Sequence, residues 1–170
     1  MADGGDMVSA IRVAVPLVQD YARIAASLRP DEALQFAAFT GMSRYEPNIL
    51  ARALIATPGP AYALIDRNGE AVAIGGFERL REGVWDTWGI GTLEGWSKHW
   101  YAITRESRRQ MEHVFNSGAH RIQIIAHASR TDAHAWYARG LRMQYEGVLR
   151  GYCANGDDAV VYAQVRGGAQ

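Results

Sequence analysis

Apolar and polar positions alternate along the chain in short β-type runs, separated by longer stretches of helical spacing. Ile11 to Val18 is β-branched and apolar and predicts a first strand, which Pro16 directs to a sheet edge or an early end. Tyr21, Ile24, Ala25 and Leu28 recur at helical spacing within Leu17 to Leu28, and Leu34, Ala37 and Ala38 do so within Glu32 to Phe39. Arg29 and Pro30 separate these two helices, and Asp31 is the expected N-cap of the second. A third short helix, Pro47 to Ala56, ends before Pro58, Gly59 and Pro60.

Ala61 to Ile65 and Ala71 to Phe77 flank Asp66, Arg67, Asn68 and Gly69, the pattern of a β-hairpin. Val84 to Ile90 predicts another strand. The longest helix spans Glu94 to Asn116, with Trp96, Trp100, Ile103, Met111 and Val114 on one face, and it stops at Ser117 and Gly118. A strand over Arg121 to Ala128, a helix over Thr131 to Arg139 and strands over Met143 to Tyr152 and Ala159 to Val165 complete the order. Strand, helix, strand, helix crossovers in its middle require an α/β fold with a mixed, partly parallel twisted sheet and helices on both faces.

Composition narrows the partners. The 170 residues suit a single domain over 1–170, with about 1–8 and 167–170 expected to be flexible. Eighteen basic and eighteen acidic residues cancel, so no global field draws the chain to nucleic acid or to an anionic membrane. No apolar run reaches membrane-spanning length, and the N-terminus lacks the pattern of a secretory signal, so a cytoplasmic protein is expected. Cys153 is the only cysteine, which rules out an intrachain disulfide and a cysteine zinc site. His113, His120, His127 and His134 do not form a closed ligand set, and no metal is expected.

The segment Arg121-Ile-Gln-Ile-Ile-Ala-His-Ala-Ser129, then Arg130 to Met143, Glu146-Gly-Val-Leu-Arg150 and Asp158 to Val165 resembles the C-terminal half of the GNAT (GCN5-related) N-acetyltransferases. That family carries Asn-x-x-Ala, an aromatic, Gly-Phe and Glu-Gly here. In this chain Arg130 stands at the Asn position, Ala133 at the Ala, Tyr137 at the aromatic and Arg142-Met143 roughly where Gly-Phe would be. Trp88-Gly-Ile-Gly-Thr92 is similar to a segment of small GNAT-like proteins of tailed phages, which would put the chain in host cytoplasm or a virion. The family's phosphate loop, Gln/Arg-x-x-Gly-x-Gly/Ala, is absent. Gly89, Gly91 and Gly95 flank Thr92, Leu93 and Glu94 in its place.

The resemblance implies the GNAT fold and acetyl transfer from acetyl-CoA to an amine of a small molecule or protein. It implies Asp86 as general base, on the strand where such bases lie, and Tyr137 as general acid. It places acetyl-CoA against Ile90, Gly91, Gly95, Trp96, Ser97 and Lys98, with Arg130 near the pantetheine. A homodimer stays open. The structural alternatives are a strand carboxylate at Asp86, a core phenol at Tyr137 and packing roles for Trp85, Trp88, Trp96 and Trp100. His127 and His134 are candidates for the acceptor side or for packing. The competing function is a GNAT-fold binding or assembly protein without catalysis.

Overall fold

The computed structural model describes residues 11–167, and apart from Gly167 the ends expected to be flexible lie outside them. Seven strands form one sheet: β1 (Arg12–Ala14), β2 (Ala61–Ile65), β3 (Ala71–Arg81), β4 (Val84–Gly91), β5 (Arg121–His127), β6 (Gln144–Leu149) and β7 (Ala159–Val165). Their spatial order is β1-β2-β3-β4-β5-β7-β6. Only β4 and β5 run parallel; all other neighbours are antiparallel. The helices are α1 (Val18–Ala26), α2 (Pro30–Thr40), α3 (Pro47–Ala56), α4 (Leu93–Asn116) and α5 (Thr131–Ala135), the last continuing into a π-helical turn at Trp136–Gly140.

Helices cover both faces, as the strand and helix order requires. On one face Ile103, Met111, Val114 and Phe115 of α4 pack with Tyr62, Leu64, Phe77, Ile122 and Tyr137. On the other, Tyr21, Ile24 and Ala25 of α1 and Leu50 and Ala51 of α3 pack on Ala63, Ile65 and Ile74. Ala38 of α2 joins Cys153 and Ala159 in a smaller cluster. Trp85 belongs to the α4 side and Trp88 to the α1 and α3 side, so the tryptophans do not form one cluster around a cleft.

Several boundaries differ from expectation, each for a local reason. The first strand ends at Ala14, two residues before Pro16. Pro30, not Asp31, opens α2, because proline suits the first helical position; Arg29 is the N-cap. That two-residue shift of the N-cap frees the Asp31 carboxylate for a long-range partner, Arg130. Strand β3 runs on to Arg81, beyond the apolar run, because Glu78 and Arg79 still pair with β4.

Arg142, where the resemblance expects glycine, has φ 57°, the one non-glycine in the left-handed region among the described residues. Its side chain is exposed, between buried Leu141 and Met143. A side chain in this conformation costs about 1 kcal/mol or more, part of which glycine returns as unfolded-state entropy. Arg142→Gly is expected to stabilise the fold by about 0.5–1 kcal/mol, and Arg142→Ala to leave it unchanged; urea denaturation of both variants checks this.

Candidate functional site

Strands β4 and β5 stay in register over only three pairs, Val84 with Arg121, Trp85 with Ile122 and Asp86 with Gln123. Beyond them β4 continues along β3 to Gly91, and β5 continues along β7 to His127. The two strands therefore splay, and their facing edges lose the ladder.

Helix α2 spans this gap. Glu32 accepts hydrogen bonds from the Gly91 N–H (3.3 Å) and from the Trp96 Nε1–H (3.0 Å), so it binds the end of β4 and the start of α4. One turn on, Gln35 Oε1 accepts from the His127 N–H at the end of β5 (2.9 Å). Arg130 sits between: Nε donates to Asp31 (2.9 Å), Nη1 donates to Gln35 (3.2 Å), and Nη2 lies 3.7 Å from Glu32. Glu32 is 3% and Arg130 6% exposed.

Two cavities open at the gap. The larger, about 210 Å³, lies among α2, α3 and the sheet, and its walls include Phe36, Phe39, Leu50, Leu54, Ile90 and Ile124. The smaller, about 90 Å³, lies on the α4 and α5 side, lined by Arg29, Trp96, Trp100, Asp132 and Trp136. Glu32, Gly89, Arg130 and Tyr137 line both.

Burial pushes the Glu32 carboxyl up to about 7, against the pull of Arg130 and the Gly91 amide. Burial also pushes the Tyr137 phenol up to about 12, with Arg130 acting the other way. The passage thus holds a carboxyl poised near neutral pH and a phenol kept protonated, with a fixed cation between them.

The sequence-derived candidates separate into two groups. Tyr137 and Arg130 lie at the junction, Ile90 lines the larger cavity and Trp96 the smaller. Trp96 meets the Trp136 ring edge-on at 5.0 Å, and the Arg29 guanidinium lies over the Trp96 ring at 5.7 Å. The Gly91 amide is engaged by Glu32. Gly95 lies flush against the Val72 carbonyl, where any Cβ would clash, and its N–H is capped by Thr92 Oγ1 (2.9 Å). Ser97 Oγ donates to the Glu94 carbonyl (3.1 Å), and Lys98 pairs with the Glu94 carboxylate (2.7 Å) at the surface.

Asp86 stands apart. It pairs with Gln123 in the last rung where β4 and β5 still touch, and it lines neither cavity. Its Oδ1 is buried without a hydrogen-bond partner, and burial and Glu78 raise its pKa while Gln123 and Arg121 lower it.

His127 is held between Ser129 Oγ (2.8 Å) and Asp157 (3.0 Å), and His134 Nε2 bonds the His127 carbonyl (3.0 Å), so both tie the end of β5 to its surroundings. Among the described residues no three His, Cys, Asp or Glu side chains are grouped as a metal site requires, and no helix is long and apolar enough to cross a membrane.

Sequence reasoning missed Glu32 and Gln35. They share a stripe with Phe36 and Phe39, spaced i, i+3, i+4 and i+7, and all four line the larger cavity. The expected inward stripe was Leu34, Ala37 and Ala38; Leu34 is 51% exposed and only Ala38 is buried.

No family model matches the chain, and no curated protein matches it in sequence. Solved structures do match in fold. An acetyltransferase of the GNAT family from Bacillus anthracis superposes with a TM-score of 0.69 at 11% identity, covering 91% of this chain and 94% of that one. RimL, a ribosomal L7/L12 alpha-N-protein acetyltransferase in complex with coenzyme A, gives 0.68 at 11%, covering 93% and 94%. SpeG, a spermidine N-acetyltransferase from Vibrio cholerae, gives 0.67 at 11%, covering 91% and 93%. The chain therefore has the GNAT acetyltransferase fold. The phage likeness of Trp88 to Thr92 gains no support from these structures.

Because Arg130 is the buried cation to which Asp31, Glu32 and Gln35 are all tied, removing it leaves the Glu32 carboxyl in the interior without its cation. Arg130→Met is expected to cost about 3 kcal/mol of stability in urea. Hydrogen exchange is expected to quicken first in α2, while the β3–β4 ladder keeps its protection.

Proposed function

We propose that the chain transfers an acyl group from acetyl-CoA to an amine, with Tyr137 as general acid and Glu32 as general base. The observation that carries this reading is the pair of cavities on opposite sides of the splayed sheet that share Glu32, Gly89, Arg130 and Tyr137. Donor and acceptor can enter from separate sides and meet at groups that move protons.

The donor side fits a narrow thioester arm better than a diphosphate. Only Thr92 separates β4 from α4, so there is no loop of stacked amides. What remains is the first turn of α4, whose Leu93 and Glu94 amides have no intrahelical carbonyl, the Gly91 amide now held by Glu32, and the cations Arg29 and Lys98. These, with Ile90, Gly95, Trp96 and Ser97, are the residues that would hold acetyl-CoA, which supplies the acyl group as an activated thioester.

Glu32 takes the proton of the amine as nitrogen attacks the carbonyl carbon, a task suited to a carboxyl poised near 7. Tyr137 gives its hydroxyl proton to the leaving sulfur. Arg130 holds the charge balance between the two, so neither proton transfer leaves an isolated buried charge. Asp86 is the alternative base, and its raised pKa suits the task; its position at the closed end of the gap favours Glu32.

Acetyl-CoA is expected to raise the melting temperature of the wild type and of Tyr137→Phe alike. Coenzyme A release with an amine panel is expected to fall roughly a hundredfold in the Phe variant. Equal turnover would take the acid role from Tyr137, and no thermal shift with acetyl-CoA would favour the non-catalytic binding protein.

The pH dependence separates the two bases. The kcat/KM of the wild type is expected to rise with pH through about 7, as Glu32 loses its proton. Glu32→Gln is expected to lose this limb, whereas Asp86→Asn keeps it; the reverse result would assign the base to Asp86. Since the folded-state pKa of Glu32 lies above its unfolded value, stability has the opposite trend. It is fully present below the unfolded value and declines as pH rises through about 7, a decline that Glu32→Gln removes.

A further inference from the structure

The chemistry of the larger cavity narrows the acceptor. Its volume of about 210 Å³ equals that of about seven waters, the bulk of a phenylethyl or branched alkyl group. Phe36 and Phe39 of α2, Leu50 and Leu54 of α3 and Ile124 and Ile125 of β5 give it apolar walls.

Thr87, Gln35 and Arg130 of its lining are committed to the fold, and the Trp88 Nε1–H is a buried donor without a hydrogen-bond partner. Thr87 Oγ1 donates to the Gly76 carbonyl (3.1 Å). Gln35 Oε1 is shared by the His127 amide and Arg130. Arg130 is divided among Asp31, Glu32 and Gln35. The Glu32 carboxyl, at the end facing the gap, accepts from the Gly91 amide and the Trp96 indole and is the one carboxyl of this lining, so its remaining lone pairs are what can meet an ammonium. A second ammonium at the far end would lie against apolar walls with no counter-charge, and a carboxylate next to the amine would face the Glu32 carboxyl and reach Arg130 only in competition with Asp31 and Glu32.

We propose, resting on the transferase reading, that the acceptor is a primary amine on a compact, uncharged apolar body, an arylalkyl or branched alkyl amine. Its nitrogen lies against Glu32 at the β4–β5 gap and its apolar body between α2, α3 and the sheet. The step balances without a further reactant. The ammonium first gives one proton to solvent, the neutral nitrogen attacks, the C–N bond forms and the C–S bond breaks. Glu32 takes one proton from nitrogen while Tyr137 gives one to sulfur, and the proton on Glu32 then restores Tyr137.

The test uses the full chain, with calorimetric titration of phenylethylamine, isopentylamine, spermidine and phenylalanine in the absence of donor. Coenzyme A release from acetyl-CoA is then measured with the same four. Phenylethylamine and isopentylamine are expected to bind at least tenfold tighter than spermidine and phenylalanine. Leu54→Lys, a half-buried position on the cavity wall, is expected to weaken their binding at least tenfold while the thermal shift with acetyl-CoA stays as in the wild type.

Tighter binding or faster turnover of spermidine or phenylalanine would overturn the proposal and leave the transferase reading standing. Selective binding of the apolar amines without coenzyme A release would do the reverse, keeping the assigned amine site and removing the transferase. Absence of binding and of release with all four amines would overturn the proposal.

Discussion

A sheet that opens between two parallel strands exposes two polar edges to the interior, and in this protein helix α2 satisfies both. Glu32 takes the amide at the end of β4, Gln35 takes the amide at the end of β5, and Arg130 ties the two together with Asp31. Buried backbone groups must find partners, and charges brought inside are costly unless paired. The splay is therefore possible only where a second element supplies a donor and acceptor set of the right span. The position of α2 over the gap, the two cavities beside it and the raised pKa of Glu32 all follow from that one requirement.

The same groups that hold the gap open stand where the chemistry would take place. A carboxyl bonded to a strand amide and an indole N–H is well ordered, and its burial moves its protonation into the neutral range. Tyr137 is fixed by the π-helical turn and by rings on either side, Trp136 at 5.6 Å and Tyr162 at 5.7 Å. A single-turn π segment inside a helix is often found at functional sites. Structural demands and those of the proposed chemistry converge on few side chains here, so substitutions at the gap would act on both at once. The conservative changes that keep volume, Tyr to Phe and Glu to Gln, are the ones that can tell the two apart.

How much of this was legible in the sequence depended on the range of the interaction. The hairpin around Asn68 and Gly69, α3 and β7 were readable because turn residues and apolar periodicity are local signals, and the mixed sheet followed from their order. Tyr137 and Arg130, singled out by the motif pattern, line both cavities. Glu32 was not, because its partners Gly91, Trp96 and Arg130 are distant in the chain, and a carboxylate and an amide at the head of a stripe read as solvent-facing. Leu34 looked like the inward residue and is exposed. Asp86 lies on β4, the strand on which it was expected. How far along the strand the β4–β5 ladder persists has no sequence signature, and that distance decides whether Asp86 meets the passage.

The missing phosphate loop has a structural cause that bears on donor recognition. The Thr92 N–H donates to the Val72 carbonyl (3.0 Å), the Thr92 side chain caps Gly95, and Leu28 forms a bridge with Thr92 from the α1–α2 linker. Gly95 lets the first turn of α4 sit directly on β3. With the junction tied from three directions, there is no slack for a loop of outward-facing amides. Hydrogen bonds to charged groups contribute about 1.5–3 kcal/mol each, so losing two would weaken recognition of a diphosphate by about a hundredfold or more. On the acetyl-CoA reading proposed above, donor affinity would rest on the arm within the gap and on the aromatic wall of Trp96, Trp100 and Trp136. The burden of recognition would then move from phosphate amides to the same gap that α2 holds open.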